Sequence, residues 1–518
     1  MSKGHAPEIV SLNADELKAL LLGLHPLLPR VMYEQVAGLL NTLQWVMELI
    51  QKKNTTLARL QRLIFGTSTE KTRSIFPPAS TSDPPAKARR KGHGRNGADR
   101  YVGAKRVAAP HPSLKDGDAC PDCQTGKVGL RLPSRIVRIT AQPIFSAAIF
   151  EQQQLRCNLC GRVYTAPAPP EAGTAKYAPN VGLMLGLLRF GSGLPHYRME
   201  TMQQDFGVPL PQSTQWELMA EGARDFEPIG HELSAVAAGG ELLHNDDTTM
   251  RVQSLKKEKA ASGSKRTGIF TTSIVSKVGP HQIALFFTGG NHAGENLDLL
   301  LKHRSLGLSK PIQMCDALSR NLSKEFQVLL ANCLPHGRRS FVEVAENFPA
   351  ECKQVLESLA QVFKNEGEAK KLKLGPEQRL LFHQEHSQPV MEALHAWMKE
   401  QMDLKKVEPN SGLGEAIDYM LNHWEPLTLF LRHPGAPLDN NICERALKMA
   451  ILHRKNSLGY KTQNGARVGD LFMSLIHTCR LNGINPFDYL TTLQRQASAV
   501  KANPSQWLPW NYLPDAPA

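Results

Sequence analysis

From Met32 onward the apolar positions fall at Val36, Leu39, Leu43, Val46, Ile50, Leu57, Leu60 and Ile64. Steps of three and four keep this series close to the 3.5-residue repeat of a coiled-coil seam. Lys53 interrupts it at a d position. Residues 1–65 are therefore expected to form a helical, coiled-coil region that pairs protomers; an amphipathic helix packed on its own domain is the alternative. The periodicity then stops. Residues 66–110 are rich in Pro, Ser and Gly and turn basic, which predicts a flexible linker. Its Lys87, Arg89, Arg90, Lys91 and Arg95 either touch phosphates or are simply solvated.

Helical spacing resumes near Ala178, in VGLMLGLLRFGSGLPHYRMETMQQDFGVPLPQSTQWELMAEGARDF. Residues 171–235 should form two or three helices, with Ser213 and Thr214 placed to cap one of them. Arg189, Arg198 and the last helix suit a helix-turn-helix that binds DNA; a packing layer for the next domain is the other reading.

At Glu241 the period changes from helical to extended. ELLHNDDTTMRV, GIFTTSIVS (Gly268–Ser276) and QIALFFTGG (Gln282–Gly290) predict three strands. AGENLDLLLKH predicts a helix, and PIQMCDALSRN a buried strand ending in Asp316. Three strands, a helix and a strand imply a mixed α/β sheet with a crossover helix. This core should occupy residues 236–470, with a helical insertion at about 330–420, and residues 471–518 follow as a C-terminal segment.

Composition narrows the function. The chain has 518 residues and a formal charge of +13, which favours a polyanionic partner such as nucleic acid. Nine cysteines and no apolar leader in MSKGHAPEIV point to a reducing, cytoplasmic setting. No run approaches the ~18 apolar residues of a membrane span. Cys120 and Cys123 (CPDC) and Cys157 and Cys160 (CNLC) form two C-x2-C knuckles. Four thiolates so paired suit one structural Zn²⁺, and RIVRITAQPIFSAAIFEQQQLR between them reads as strands. Residues 111–170 are thus expected to be a zinc ribbon. Cys333 and His336 form a C-x2-H pair that could bind a metal, with the reading without one preferred.

Carboxylates in an apolar strand persist when paired or metal-bound. Asp246, within the first strand, and Asp316, at the end of the fourth, can become neighbours in such a sheet. Mg²⁺ would relieve their mutual repulsion, and two ions ~3.5–4 Å apart would support displacement at phosphorus. A third acid is expected from a helix beside the sheet. PLDNNICERALK (Pro437–Lys448) offers Glu444, with Arg445 and Lys448 on the same helix and Arg454 and Lys455 following. Asn441 and Glu444 also fit a capping box, so two roles are open for Glu444.

These segments, in order, resemble the transposases of the insertion sequence 66 family. LIFGTSTEK, the two knuckles, LPHYRME and STQW, HNDDTTMRV, CDALSRN, CLPHGRRSF, PLDNNICERALK with HRKNSLG, and CRLNGINPFDYL carry the resemblance. It implies a ribonuclease-H-like core with catalytic Asp246, Asp316 and Glu444 binding two Mg²⁺ or Mn²⁺ ions. Asp247 stands where the family usually has Glu. Ala317, Leu318, Ser319 and Arg320 depart from the family's glycine and aromatic residues after the second Asp. The implied activity is cutting at element ends and joining to target DNA by a nucleoid-associated homo-oligomer. Arg445, Lys448, Arg454, Lys455, Lys256 and Lys257 would contact DNA, the last two from a basic loop over Ser254–Arg266. Two rivals are a metal-dependent nuclease that does not join strands and a zinc-ribbon DNA-binding protein without catalysis.

Overall fold

The computed structural model describes residues 106–511 except 140 and 264, with residues 98–101, 104 and 72–75 and scattered positions between 21 and 40. The heptad seam beyond Leu40, the linker cations at Lys87–Arg95 and the LIFGTSTEK segment lie outside the described residues. The chain divides into two compact units. One comprises Met1–Pro78, Ala175–Met199 and Pro211–Ala518; the other comprises Ala79–Thr174 and Glu200–Leu210.

In the smaller unit, β1 (Gln154–Arg156) and β2 (Val163–Thr165) form a short antiparallel hairpin. Its turn is the second cysteine knuckle. Cys157 N–H donates to the Arg162 carbonyl at 2.9 Å, and Gly161 N–H donates back to the Cys157 carbonyl at 3.0 Å. Gly161 has φ +72°, a conformation that glycine adopts without strain. The strands expected between the knuckles do not form before Gln154 among the described residues. Ile136, Ile139 and Ile149 are exposed, so this run lacks the covered face that would hold it in a sheet.

The larger unit is built on a five-stranded mixed sheet of order β5-β4-β3-β6-β7. β3 (Leu242–Thr249), β4 (Phe270–Val278) and β5 (His281–Gly289) form an antiparallel meander. β6 (Ile312–Cys315) and β7 (Leu329–Asn332) add in parallel on the other side of β3. The three strands, the helix and the fourth strand fall where the apolar runs predict them. β7 does not; it occupies the start of the segment assigned from sequence to the helical insertion.

Helices cover both sides. α1 (Asn180–Gly186) and α2 (Gln212–Ala238) precede the sheet, and α3 (Ala293–Leu301) connects β5 to β6. α2 begins after Pro211, its N-cap, so Ser213 and Thr214 lie within its first turn and do not cap it. Its Met219, Phe226, Ile229, Leu233 and Ala237 are fully buried. That burial matches the packing-layer reading of this segment. After β7, α4 (Leu334–Val344), α5 (Pro349–Lys371), α6 (Pro376–His386), α7 (Gln388–Asp403) and α8 (Gly412–Asn422) form the insertion. Phe341, Leu356, Met391, Ile417 and Met420 of the insertion share one hydrophobic cluster with Leu242, Ile312 and Met314 of the sheet. α9 (Asn441–Ser457), α10 (Gln463–Leu481) and α11 (Pro486–Arg495) complete the unit.

α10 solves the edge problem of β5. An edge strand leaves every second N–H without a ladder partner. Here Asn482, just past α10, and Thr478, Ser474 and Asp470 accept in turn from the N–H groups of Gln282, Ala284, Phe286 and Thr288, at 2.7–3.3 Å. The spacings match because four helical residues rise ~6 Å and two strand residues ~6.6 Å. The opposite flank of α10 is apolar: Phe472 stacks on Phe190 with centroids 5.9 Å apart and meets Phe226 edge-on at 6.0 Å.

Ser474→Ala leaves the buried Phe286 N–H without its acceptor. It should cost about 1–3 kcal/mol, read as a lowered thermal midpoint, whereas Ser474→Thr should retain most of the stability.

Candidate functional site

β3 carries Asp246 and Asp247 near its C-terminal end, and Asp316 follows the last residue of β6. Because β3 and β6 are adjacent and parallel, their carboxyl ends open on the same side. A short turn after Asp316 brings back Asn321. Its Nδ2 donates to Asp316 Oδ1 at 2.6 Å and reaches Asp246 Oδ1 at 3.4 Å. One buried amide therefore lies across both carboxylates. Asn321 is held from behind: its carbonyl accepts from Asn245 Nδ2 and Gln313 Nε2, each at 2.7 Å. Gln313 Nε2 also donates to Asn245 Oδ1 at 2.9 Å.

Burial pushes the Asp246 carboxyl up to about 7, and the neighbouring charge of Asp316 adds to the rise. Asp247 and Glu444 contribute in the same direction, while the Asp247 N–H, donating to Asp246 Oδ1 at 2.8 Å, opposes it. Two neighbouring carboxylates with one amide between them raise each other's pKa unless a positive charge lies close by. Asp247 itself points elsewhere. Its Oδ2 accepts from the Ala293 N–H at 3.2 Å and lies 2.8 Å from His292 Nδ1, tying β3 to the start of α3.

Glu444 lies in the first turn of α9, and the capping-box alternative fails. The N-cap is Asn440, whose side chain makes no cap bond, and Asn441, the first helical residue, donates its N–H to Asp439 Oδ1 at 3.0 Å. The Asn440 side chain is used on the sheet instead. Its Oδ1 lies 3.0 Å from His244 Nδ1, and its Nδ2 donates to the Asn245 carbonyl at 3.1 Å. Burial pulls His244 down to about 4, so the ring is neutral and its Nδ1–H donates to the amide oxygen. Cys443 Sγ donates to the Ser273 carbonyl at 3.3 Å. α9 is thus pinned across β3 and β4, with Glu444 on the side of the two aspartates.

The structure brings Asp246 and Asp316 together directly. Glu444 couples to Asp246 electrostatically, and its Oε1 also lies 3.9 Å from His336 Nδ1. Among the described residues the three acids do not form one group with all ligand atoms mutually within 4.8 Å. Arg445, Lys448 and Lys455 are exposed on α9. Arg454 donates to Thr248 Oγ1 at 3.1 Å and to Thr249 Oγ1 at 2.6 Å, bracing the end of β3. Lys256 and Lys257 are exposed on a helix, Gln253–Ala261, where sequence predicted a loop. Val252, just before it, already pairs with Tyr460 in a parallel bridge, and that anchor starts the helix. In the same basic stretch, Arg266 makes a bidentate pair with Glu295 at 2.8 and 2.7 Å.

In the smaller unit each C-x2-C knuckle is formed. Gly126 N–H donates to Cys123 Sγ at 3.4 Å, and this N–H with that of Thr125 draws the thiol down to about 7. The N–H groups of Cys160 and Leu159 lower Cys157 similarly. Such N–H···S contacts favour the thiolate that a metal requires. Among the described residues, no three of Cys120, Cys123, Cys157 and Cys160 come within ion-sharing distance. Sequence reasoning passed over the structural roles of Asn321 and Asn440, although both lie inside the quoted segments CDALSRN and PLDNNICERALK.

Asn440→Ala strips partners from the His244 ring N–H and the Asn245 carbonyl. About 1–3 kcal/mol should be lost for each buried group left unpaired, again measured as a fall in thermal midpoint.

The chain matches the profile of the family described as Transposase IS66 family over residues 182–468, more than half its length, and it belongs to that family. Three curated relatives from Sinorhizobium fredii (strain NBRC 101917 / NGR234) are similar to it. "Uncharacterized protein y4hP" is 27% identical over 376 residues, 70% of this chain and 67% of that protein. "Uncharacterized protein y4jD" is 26% identical over 479 residues, 85% and 88% of the two chains. "Uncharacterized protein y4qI" is 26% identical over 344 residues, 64% and 62%. No helix among the described residues is long and apolar enough to cross a membrane.

Proposed function

We propose that this chain is a transposase that cuts DNA at the ends of an insertion sequence and joins the freed ends to a target, using Asp246, Asp316 and Glu444. The observation that carries the reading is the pair of carboxylates at the carboxyl ends of adjacent parallel strands, spanned by Asn321. The sheet order, three antiparallel strands followed by two parallel ones, is that expected of a ribonuclease-H-like core, and family membership supplies the substrate class.

Asp246, Asp316 and Glu444 would hold two Mg²⁺ or Mn²⁺ ions. Bound there, the ions would neutralise phosphate charge and lower the pKa of an attacking hydroxyl. The protein's own part is positioning. Asn321 fixes the Asp316 carboxylate, the Asp247 N–H fixes that of Asp246, and Asn440 fixes the helix that bears Glu444. Exposed Arg445, Lys448, Lys455, Lys256 and Lys257 would take the DNA backbone as salt-sensitive phosphate contacts. Arg454 serves the site by holding the end of β3.

The outer parts of the chain fill supporting roles in this reading. Cys120, Cys123, Cys157 and Cys160 would close on one structural Zn²⁺; the donor set and both knuckle turns suit that ion. The N-terminal helix of residues 1–65 would pair two protomers so that two element ends are handled together. Residues 171–235 would add DNA contacts from the surface of α2 that the core leaves uncovered. The work would take place at the nucleoid.

With Mg²⁺ and labelled DNA bearing the element's ends, wild type should give both cleaved and joined products. Asp246→Asn and Glu444→Gln should bind the DNA yet lose more than about 100-fold in both steps, since even residues behind a metal ligand commonly cost 10–100-fold. Cleavage without joined product would favour the nuclease alternative. Full activity in Glu444→Gln would remove Glu444 from the site.

Metal affinity should depend on pH with a definite sign. Asp246 is raised to about 7, so below that pH its proton competes with Mg²⁺. Affinity measured by calorimetry should rise roughly tenfold between pH 6 and pH 8, and this dependence should flatten in Asp246→Asn.

A further inference from the structure

Cys333 and His336 have no part in the chemistry above, yet they stand against Glu444. Cys333 is the N-cap of α4, and His336 lies in the first turn of that helix. Glu444 lies in the first turn of α9. The two helix starts are tied together. Leu334 N–H donates to the Leu438 carbonyl at 3.0 Å, and Asn440 N–H donates to Cys333 Sγ at 3.3 Å. As a result a sulfur, an imidazole nitrogen and a carboxylate oxygen come mutually within 4.8 Å. Among the described residues this is the one trio of such groups gathered so closely. His336 Nδ1 is buried and has no hydrogen-bond partner among them.

The donor set selects the ion. Mg²⁺ takes oxygen ligands and has little use for sulfur or imidazole. A thiolate, an imidazole and a carboxylate suit Zn²⁺ and its borderline-soft neighbours, and three protein ligands leave the fourth position open. The supports are rigid, being two helix starts locked to each other and to the sheet. The sequence could not reveal this, because the third ligand follows His336 only after 444 − 336 = 108 residues.

We propose that Cys333, His336 and Glu444 form a binding site for one thiophilic divalent ion of the zinc class, and that filling it withholds Glu444 from Asp246 and Asp316. The regulatory half of this statement rests on the reading of Glu444 as the third magnesium ligand. On binding, the Cys333 S–H bond breaks, a sulfur–metal bond forms and the proton passes to solvent, with no change of oxidation state. The ion then occupies the Glu444 carboxylate where it already lies, beside His336. Zinc would thereby oppose the magnesium-dependent reaction, and a chelator would restore it. The C-x2-H pair, for which sequence left a metal open but preferred none, gains a third donor only from the fold.

The test uses the full chain and Co²⁺ as a spectroscopic probe. Cobalt is titrated into wild type, Cys333→Ser, His336→Gln, Glu444→Gln and Asp246→Asn, following sulfur-to-cobalt absorbance and the number of ions bound. The four knuckle cysteines contribute alike to every variant and the aspartates give no sulfur-to-cobalt band, so differences in that band report the new site. Wild type and Asp246→Asn should show one further equivalent of sulfur-bound cobalt that Cys333→Ser lacks. His336→Gln and Glu444→Gln should hold it about tenfold or more weakly. His336→Gln, at a partly exposed residue, keeps the test decisive should the buried Cys333→Ser misfold.

In parallel, Zn²⁺ added to the magnesium-dependent cleavage reaction should suppress wild type about tenfold or more. The ratio of activities with and without zinc should approach one in Cys333→Ser. Identical cobalt titrations in wild type, Cys333→Ser and His336→Gln would overturn the site. A site that fills without slowing cleavage would overturn the regulatory half. If wild type is inactive with Mg²⁺ alone, the catalytic reading and the regulatory half fall together, and the cobalt titration still decides whether the ion binds.

Discussion

The buried amide of Asn440 is the constraint from which the candidate site is built. It lies 195–196 residues beyond the strand that it engages. In one place it satisfies a strand carbonyl, fixes the tautomer of a neutral buried histidine and, through its own N–H, contacts the sulfur at the start of α4. Its carbonyl accepts from the Cys443 and Glu444 N–H groups, so the helix bearing the third acid begins at the pin itself. Glu444 can vary its position only by side-chain rotation; the backbone beneath it is bolted to β3.

Behind the two aspartates a second polar network serves a different end. Asn245, Gln313 and Asn321 are fully buried and bond chiefly to one another. The network's bonds to the Asn321 carbonyl hold Asn321 Nδ2 where both carboxylates can use it, although Asn321 Oδ1 is buried with no hydrogen-bond partner among the described residues. What it does not supply is positive charge. Asp316, Asp247 and Glu444 all push the Asp246 carboxyl up, while Arg320 Nε lies 3.8 Å from Asp247 Oδ1.

The frame was legible in the sequence wherever an apolar run was long enough. β3, β4, β5, α3 and β6 fall on the stretches where the sequence shows extended or helical apolar spacing. β7 has four residues, LLAN, and looks no different from the helical segment that follows. Asp246, Asp316 and Glu444 stood out as acids in apolar or basic surroundings. The choice between Asn440 and Asn441 as the helix start is a one-residue matter that periodicity cannot resolve; the sheet resolves it by claiming the side chain of Asn440. Arg454 shows the converse. Its charge beside Lys455 reads as a surface feature, and only the fold reveals Thr248 and Thr249 within its reach. The strands expected between the two cysteine knuckles illustrate the limit of propensity, since β-branched residues make a sheet only where something covers them.

The helix that closes the edge of β5 has a consequence for the order in which the protein can be made. Its acceptors lie 182–200 residues beyond the strand amides they satisfy. At ribosomal rates of about 5–20 residues per second, roughly 10–40 s separate emergence of the strand from emergence of its cover. Throughout that interval the nascent meander presents an open row of donors. The entire helical insertion is synthesised in the gap, so the sheet waits on the longest excursion of the chain before its margin is sealed.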